Sequence, residues 1–162
     1  MTHIATSLAN PDMIDHVVAN LWDRGAQELE ILGVSRERAV EMMNDCREAG
    51  HPTLAWSVDG VPVFVTGLLP TGPGVMCSWF LATRRFHAFQ RRITMTLWRE
   101  LERVAEERQL REIEIYSTCV HPRAARWFQA LGFALDVDRH SSPRTRTYRF
   151  VRRFTGGDHV LR

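Results

Sequence analysis

A chain of 162 residues that is 44% apolar can bury one core, and its net charge of +2 is too small to specify a polyanionic partner. No apolar run approaches the ~20 residues of a membrane-spanning helix, and the N-terminus lacks the basic-then-apolar pattern of a secretory leader. Cys46, Cys77 and Cys119 are odd in number and far apart, which speaks against a disulfide framework or a zinc site. A cytoplasmic protein without a metal is therefore expected.

All 21 basic residues are Arg, so the chain has no side-chain amine of its own for acylation or Schiff-base chemistry.

His3 to Leu8 reads as a first strand. Asn10-Pro11-Asp12 supplies a helix N-cap, a first-turn Pro and an acidic first turn, with Ile14, Val17, Val18 and Leu21 at helical spacing. Gly25 is the expected stop of that helix, and Leu29, Ile31 and Leu32 leave the type of their segment open. Ser35 caps a second helix whose apolar stripe is Ala39, Met42, Met43 and Cys46, with Gly50 as its stop. Thr53–Val58 and Val61–Leu69 are strands joined by Asp59-Gly60, a strong hairpin signal. Residues 70–74 form a turn, and Val75–Ala82 is a third extended run.

A helix follows from Arg84 to about Arg108, its stripe formed by Phe86, Phe89, Ile93, Leu97, Leu101 and Val104. Glu112–Thr118 is a strand and Pro122–Leu131 a helix with Gly132 at its exit. Phe133–Val137 and Thr145–Phe154 are the last two strands, and Gly156-Gly157 opens a tail. The order is β-α-α-β-β-β-α-β-α-β-β. It predicts one α/β domain over residues 1–155, a mixed and mostly antiparallel sheet with helices on both faces, and a C-terminal tail at 156–162.

The segment His121-Pro-Arg-Ala-Ala-Arg-Trp-Phe-Gln-Ala-Leu-Gly-Phe133, placed after a strand, resembles a conserved segment of the GNAT acyltransferases. Ala124, Trp127, Gly132 and Phe133 match the pattern, while His121 replaces the usual Asn and Phe128 the usual Tyr. The element order agrees with that fold from end to end.

The resemblance implies a set of acetyl-CoA contacts. Pantetheine would pair with the strand edge at Trp79, Phe80 and Leu81. Thr83, Arg84, Arg85, Ala88, Phe89, Gln90 and Arg91 occupy the place of the loop that wraps pyrophosphate, and Ala124 and Phe128 lie on the flanking helix. Neither loop glycine of the family is present. Ala88 and Gln90 stand there, so the Arg side chains are the alternative phosphate ligands; a solvated helix start is the plainer reading of the cluster. Phe128 has no proton to give a leaving thiolate, which makes Tyr116 the nearest substitute in sequence, although a packed strand aromatic is its plainer reading. His121 suits a general base or a loop histidine in place of the CoA-contacting Asn. Cys77, Ser78 and Cys119 lack the partner spacing of a nucleophile. Glu114 reads as a solvated strand residue, with a catalytic base as the alternative.

Leu54 to Pro62, Ser78-Trp79-Phe80-Leu81-Ala82-Thr83, the long helix without the Gly loop, and Ala125 to Phe133 are together similar to GNAT-like internal virion or core proteins of tailed bacteriophages. Three functions follow. The first is a phage virion or assembly component with reduced or lost acyl transfer, partnered by other virion proteins or by copies of itself. The second is an active acyl-CoA-dependent N-acyltransferase. The third is a nucleic-acid module using the Arg-rich stretch from Arg139 to Arg153, which the modest net charge disfavours; that stretch otherwise reads as an alternating strand with one wet face.

Overall fold

The computed structural model describes residues 2–118, 122–136 and 147–154. Expectations at Cys119, His121 and residues 137–146 and 155–162 lie outside the described residues.

The first element, β1 (Ile4–Leu8), leads into α1 (Pro11–Ala19), where Asn10 Oδ1 accepts the Met13 N–H as the sequence predicts. Here the sequence expectation fails. Two helices were expected before the second strand, and three are present: α1, α2 (Asp23–Ile31) and α3 (Arg36–Glu48). Gly25 does not end α1; it lies inside α2. The reason is tertiary. The Arg36 guanidinium donates to the Val18 and Ala19 carbonyls at 3.1 Å each, satisfying the end of α1. The next residues are then drawn onto the sheet, with Leu21 bridged to Thr83 and the Trp22 N–H donating to the Ala82 carbonyl at 3.0 Å.

The hairpin of β2 (Thr53–Val58) and β3 (Val61–Gly72) turns through Asp59 and Gly60 at φ of 51° and 80°, as a type I′ turn requires. β3 runs three residues beyond its expected end at Leu69, because Pro70 and Gly72 still pair with Met76 and Val75. β4 (Val75–Ala82), α4 (Phe86–Glu107), β5 (Glu112–Thr118) and α5 (Pro122–Ala130) follow, then β6, reduced to Ala134–Leu135, and β7 (Thr147–Arg153). The described residues thus form one α/β domain with five helices and a seven-stranded sheet in the order β1-β2-β3-β4-β5-β7-β6. Every neighbouring pair is antiparallel except β4 with β5, which the α4 crossover makes parallel.

Alternation along the strands divides the core into two layers. Trp56, Phe64 and Ile113 pack against Ile93, Leu97 and Leu101 of α4. Ala55 and Val65, pointing the other way, pack against Ile14, Val17 and Met43 of α1 and α3. Trp127 of α5 is tied to α4 by its Nε1–H, which donates to Thr94 Oγ1 at 2.8 Å.

One close approach fixes the indole of Trp79. A Cβ built on Gly67 of β3 would lie 2.1 Å from its ring, so this strand position has no room for a side chain. Gly67→Ala is expected to cost about 2 kcal/mol through overpacking, a fall of roughly 4–8 °C in melting temperature. An unchanged melting temperature would show that the indole has another place to go.

Candidate active site in the strand wedge

β4 and β5 pair from Val75↔Glu112 only as far as Ser78↔Ile115. β5 continues against β7 to Thr118↔Thr147, and β4 continues against β3 to Phe64↔Ala82. The two strands therefore part after Ser78 and Ile115, leaving a wedge between Trp79–Ala82 and Tyr116–Thr118.

A cavity of about 420 Å³ occupies this place, walled by Phe64, Phe80, Phe86, Trp127 and Phe128 on one side and by Trp22, Leu29 and Leu32 on the other. The hydrogen-bonding parity of the strand identifies the edge it exposes. The Thr83 N–H pairs with the Val63 carbonyl of β3, whereas the Ala82 carbonyl faces away and accepts from Trp22. In an antiparallel ladder this direction alternates, so the N–H and C=O of Phe80 face the wedge.

The opposite edge is covered by a side chain. Glu28 of α2 places Oε1 at 2.8 Å from the Thr118 backbone N, 2.8 Å from Ser117 Oγ and 3.3 Å from Thr118 Oγ1, all three donating to it. A strand amide left without a ladder partner is thereby satisfied. α2 has no buried residue of its own, and it spans the wedge through Trp22 at the β4 end and Glu28 at the β5 end.

A third feature lies at the start of α4. Its N-cap, Arg85, makes no side-chain capping bond; the Phe86 N–H donates to the Thr83 carbonyl at 3.1 Å and the Ala88 N–H to the Arg85 carbonyl at 3.3 Å, which leaves the His87 N–H as the first-turn amide without a backbone partner among the described residues. His87 stands in that turn, its ring 4.1 Å from Trp22 in an edge-on contact. Burial lowers the His87 pKa, a hydrogen bond that its ring donates to Gln90 opposes this, and the charges of Arg123 and Arg24 lower it further. Arg24, His87, Gln90 and Arg123 all line the cavity.

The residues expected from sequence divide accordingly. Trp79, Phe80, Leu81, Gln90, Tyr116, Ala124 and Phe128 line the cavity. Thr83, Arg84, Arg85, Ala88, Phe89 and Arg91 do not. Thr83 is buried and donates its hydroxyl to the Val63 carbonyl. Arg84 pairs with Asp23 at 2.7 Å, and Arg85 pairs with Asp59 at 3.6 Å while lying over the Phe89 ring. Ala88 and Arg91 are exposed. Trp22, Arg24, Glu28, His87 and Arg123 are cavity residues that the sequence reading did not single out. For His87 a signal existed, since it sits in the first turn of a recognised helix.

Phe128 is 5% exposed and packs between Phe80, Trp127 and Phe150. Tyr116 donates its hydroxyl to Glu114 Oε2 at 3.2 Å; burial, with the Glu114 charge, raises its pKa.

Glu114 itself is not a solvated strand residue. It is 7% exposed, accepts from Thr71 Oγ1 at 2.9 Å, and pairs with Arg149 Nε at 2.8 Å. Arg149 also pairs with Glu112 and Asp136. Burial opposes its charge, and the hydrogen bond and charges of these carboxylates more than offset that, raising its pKa. Arg152, likewise buried, pairs with Glu102 and lies over Trp98 and Phe154. The wet arginine face expected for this strand is therefore absent at both positions, because carboxylates of neighbouring elements hold the guanidiniums against the sheet.

Cys77 is not equipped as a nucleophile. Burial and the nearby Glu114 charge push its thiol up to about 12. Between the ordinary thiol pKa and that value, the unfolded chain loses the proton and the folded chain keeps it, so stability falls as pH rises. The native protein at pH 8 should leave Cys77 unmodified by iodoacetamide under conditions that label it fully in urea, as read by peptide mass mapping. Rapid native labelling would contradict this assignment.

Among the described residues no cluster of His, Cys, Asp or Glu could hold a metal ion, and no helix is long and apolar enough to cross a membrane.

No family model matches the chain, and no curated protein matches it by sequence. Solved structures do match its shape. It is similar to an acetyltransferase of the GNAT family from Streptococcus pneumoniae, at 13% identity over 94% of this chain and 100% of that one, TM-score 0.66. It is also similar to the ribosomal-protein-alanine N-acetyltransferase of Brucella melitensis, at 14% identity over 93% and 99% of the two chains, TM-score 0.69. A third similar structure is the aminoglycoside acetyltransferase AAC(6')-Ib in complex with coenzyme A, at 12% identity over 93% and 95%, TM-score 0.69. The domain therefore has the GNAT acetyltransferase fold.

Proposed function

We propose that this protein is an acyl-CoA-dependent acyltransferase that binds its acyl donor in the wedge. The observation that carries the reading is the parting of β4 from β5 after Ser78↔Ile115, which leaves the Phe80 peptide group facing a cavity of about 420 Å³. An acyl-CoA has matching parts: amides for a strand edge, an apolar arm for aromatic walls, and phosphates for a basic helix start. When bound, it supplies an activated thioester carbonyl.

The chain's own residues divide the work. The outward Phe80 N–H is placed to pair with a pantetheine amide or to polarise a carbonyl. Phe64, Phe80, Phe86 and Trp127 exclude water from the site. Arg24 and Arg123, with the N–H groups of His87, replace the missing glycine loop as phosphate ligands, because arginine side chains supply the charge where close backbone approach is not available. The expected ligands Arg84 and Arg85 are engaged with Asp23 and Asp59 instead.

A second reading has one observation in its favour. Phe128 carries no hydroxyl, that of Tyr116 is given to Glu114, and Tyr148 does not line the cavity, so no phenol is aimed at a departing thiolate among the described residues. On that reading the fold keeps a cavity with reduced or lost transfer, and serves as a phage virion or assembly component, as the sequence resemblance implies. It predicts association with particles or self-association, and no release of CoA thiol with any amine.

Acetyl-CoA at about 100 times its Kd adds about 2.7 kcal/mol, a rise of roughly 5–10 °C in melting temperature for a chain of this size. Replacing Arg24 and Arg123 together by Ala should abolish the shift at that concentration, and Arg84→Ala should retain it. The opposite pattern would return the phosphates to the arginine cluster, and no shift with the wild type would remove the donor site.

A further inference from the structure

We infer that Glu28 reads the ammonium group of the acyl acceptor, and that the acceptor is a small primary amine on an apolar body. The inference rests on the acyltransferase reading and adds the class of its second substrate.

Glu28 is the single acidic residue of the cavity lining among the described residues. Its three hydrogen bonds all fall on Oε1. A carboxylate offers about four lone-pair sites, and Oε2 makes no hydrogen bond among the described residues. No ion pair holds Glu28 among them either. Arg24 stands one helical turn earlier, about 6 Å along the axis, but its guanidinium lies over the Trp22 ring at 5.6 Å. The carboxylate is half-buried, and its second oxygen can accept from a cation. An ammonium group has three donors and no acceptor, which suits the unused oxygen.

The surroundings define the rest of the acceptor. Leu29 of α2 and Leu32 at its C-terminal cap line the same cavity as Glu28, with Trp79 and Tyr116 on the strands. None of these offers a second anionic contact, so a polycation gains nothing from its additional charges. At the α4 end of the same cavity, Arg24 and Arg123 repel an amine. The two ends thus carry opposite charge, and an amine is directed to the β5 side of the wedge, across from the Phe80 edge. The Ser117 and Thr118 donors hold the carboxylate there without neutralising it.

Three probes separate charge from shape: 2-phenylethylamine, its neutral counterpart 2-phenylethanol, and spermidine, each titrated by calorimetry or NMR into the protein with and without saturating CoA. The wild type should bind 2-phenylethylamine at least about tenfold more tightly than either other probe, the ratio expected for a charge-assisted hydrogen bond. Glu28→Gln should remove the preference for amine over alcohol and keep the acetyl-CoA thermal shift. Glu28→Asp, which keeps the charge on a shorter arm, should retain the preference. Equal binding of amine and alcohol by the wild type would overturn the inference. So would tighter binding of spermidine, an undiminished preference in Glu28→Gln, or loss of the preference in Glu28→Asp as complete as in Glu28→Gln. A Glu28-dependent amine preference without any acetyl-CoA shift would overturn the donor reading alone and leave the amine site standing.

Discussion

The end of the β4–β5 ladder is the constraint on which the rest of the structure depends. Parallel pairing stops after four residue pairs, at Ser78↔Ile115, and each strand is then held only from its far side. β4 stays flat against β3 because Gly67 leaves room for the Trp79 indole, and because the Thr66 hydroxyl donates to the Trp79 carbonyl at 2.8 Å. β5 follows β7, and Arg149 locks that pairing by joining Glu112 and Glu114 of β5 to Asp136 beside β6. The two halves of the sheet are thus fixed separately, and the space between them is built in. A buried arginine shared by three carboxylates is costly to desolvate, but removal of any partner would leave charge unpaired in the sheet. Its contribution is to the placement of the wedge wall.

Two edges of unpaired backbone would ordinarily be a liability. One is met by Glu28, and the Ala82 end of the other by the Trp22 peptide. Both residues belong to α2 or its start, a helix with no fully buried side chain, whose half-buried Ala26 and Leu29 pack on the α1–α3 core layer. The element that covers the cavity is therefore held by this packing together with polar ties, and a ligand with matching groups can compete for the ties. The same helix contributes Arg24 toward the basic end and Glu28 toward the acidic end, so its charge pattern sets the polarity of the cavity.

Much of this fold is legible in the sequence where the local pattern and the tertiary structure agree. Val75–Ala82 and Glu112–Thr118 are read with the bounds they have, because β-rich runs there are framed by turn residues and a long helix. Pro122 and the Asp59-Gly60 turn carry their own chemistry and are equally plain. Failure comes where a distant partner decides. Gly25 reads as a helix stop by composition, yet Arg36, eleven positions later, satisfies the end of α1 and allows Gly25 into the next helix. Missing α2 hides Glu28, a charged residue whose importance lies wholly in its contact with Thr118, 90 positions away. The arginines fail for a related reason. Arg84 and Arg85 stand in the right place along the chain, but Asp23 and Asp59 are brought beside them by the fold. For Arg149 and Arg152 an alternating pattern predicts a wet face, and only the sheet order shows the carboxylates that bury them.

The central claim is that the Phe80 edge of β4 is a donor site and not an incidental gap. Backbone hydrogen exchange with and without CoA tests it most directly. Addition of CoA should slow exchange at the 79–82 segment and the first turn of α4, with β2 and the α1–α3 layer unchanged. Exchange at 79–82 that is equally fast with and without saturating CoA, or protection that appears only elsewhere in the sheet, would contradict it.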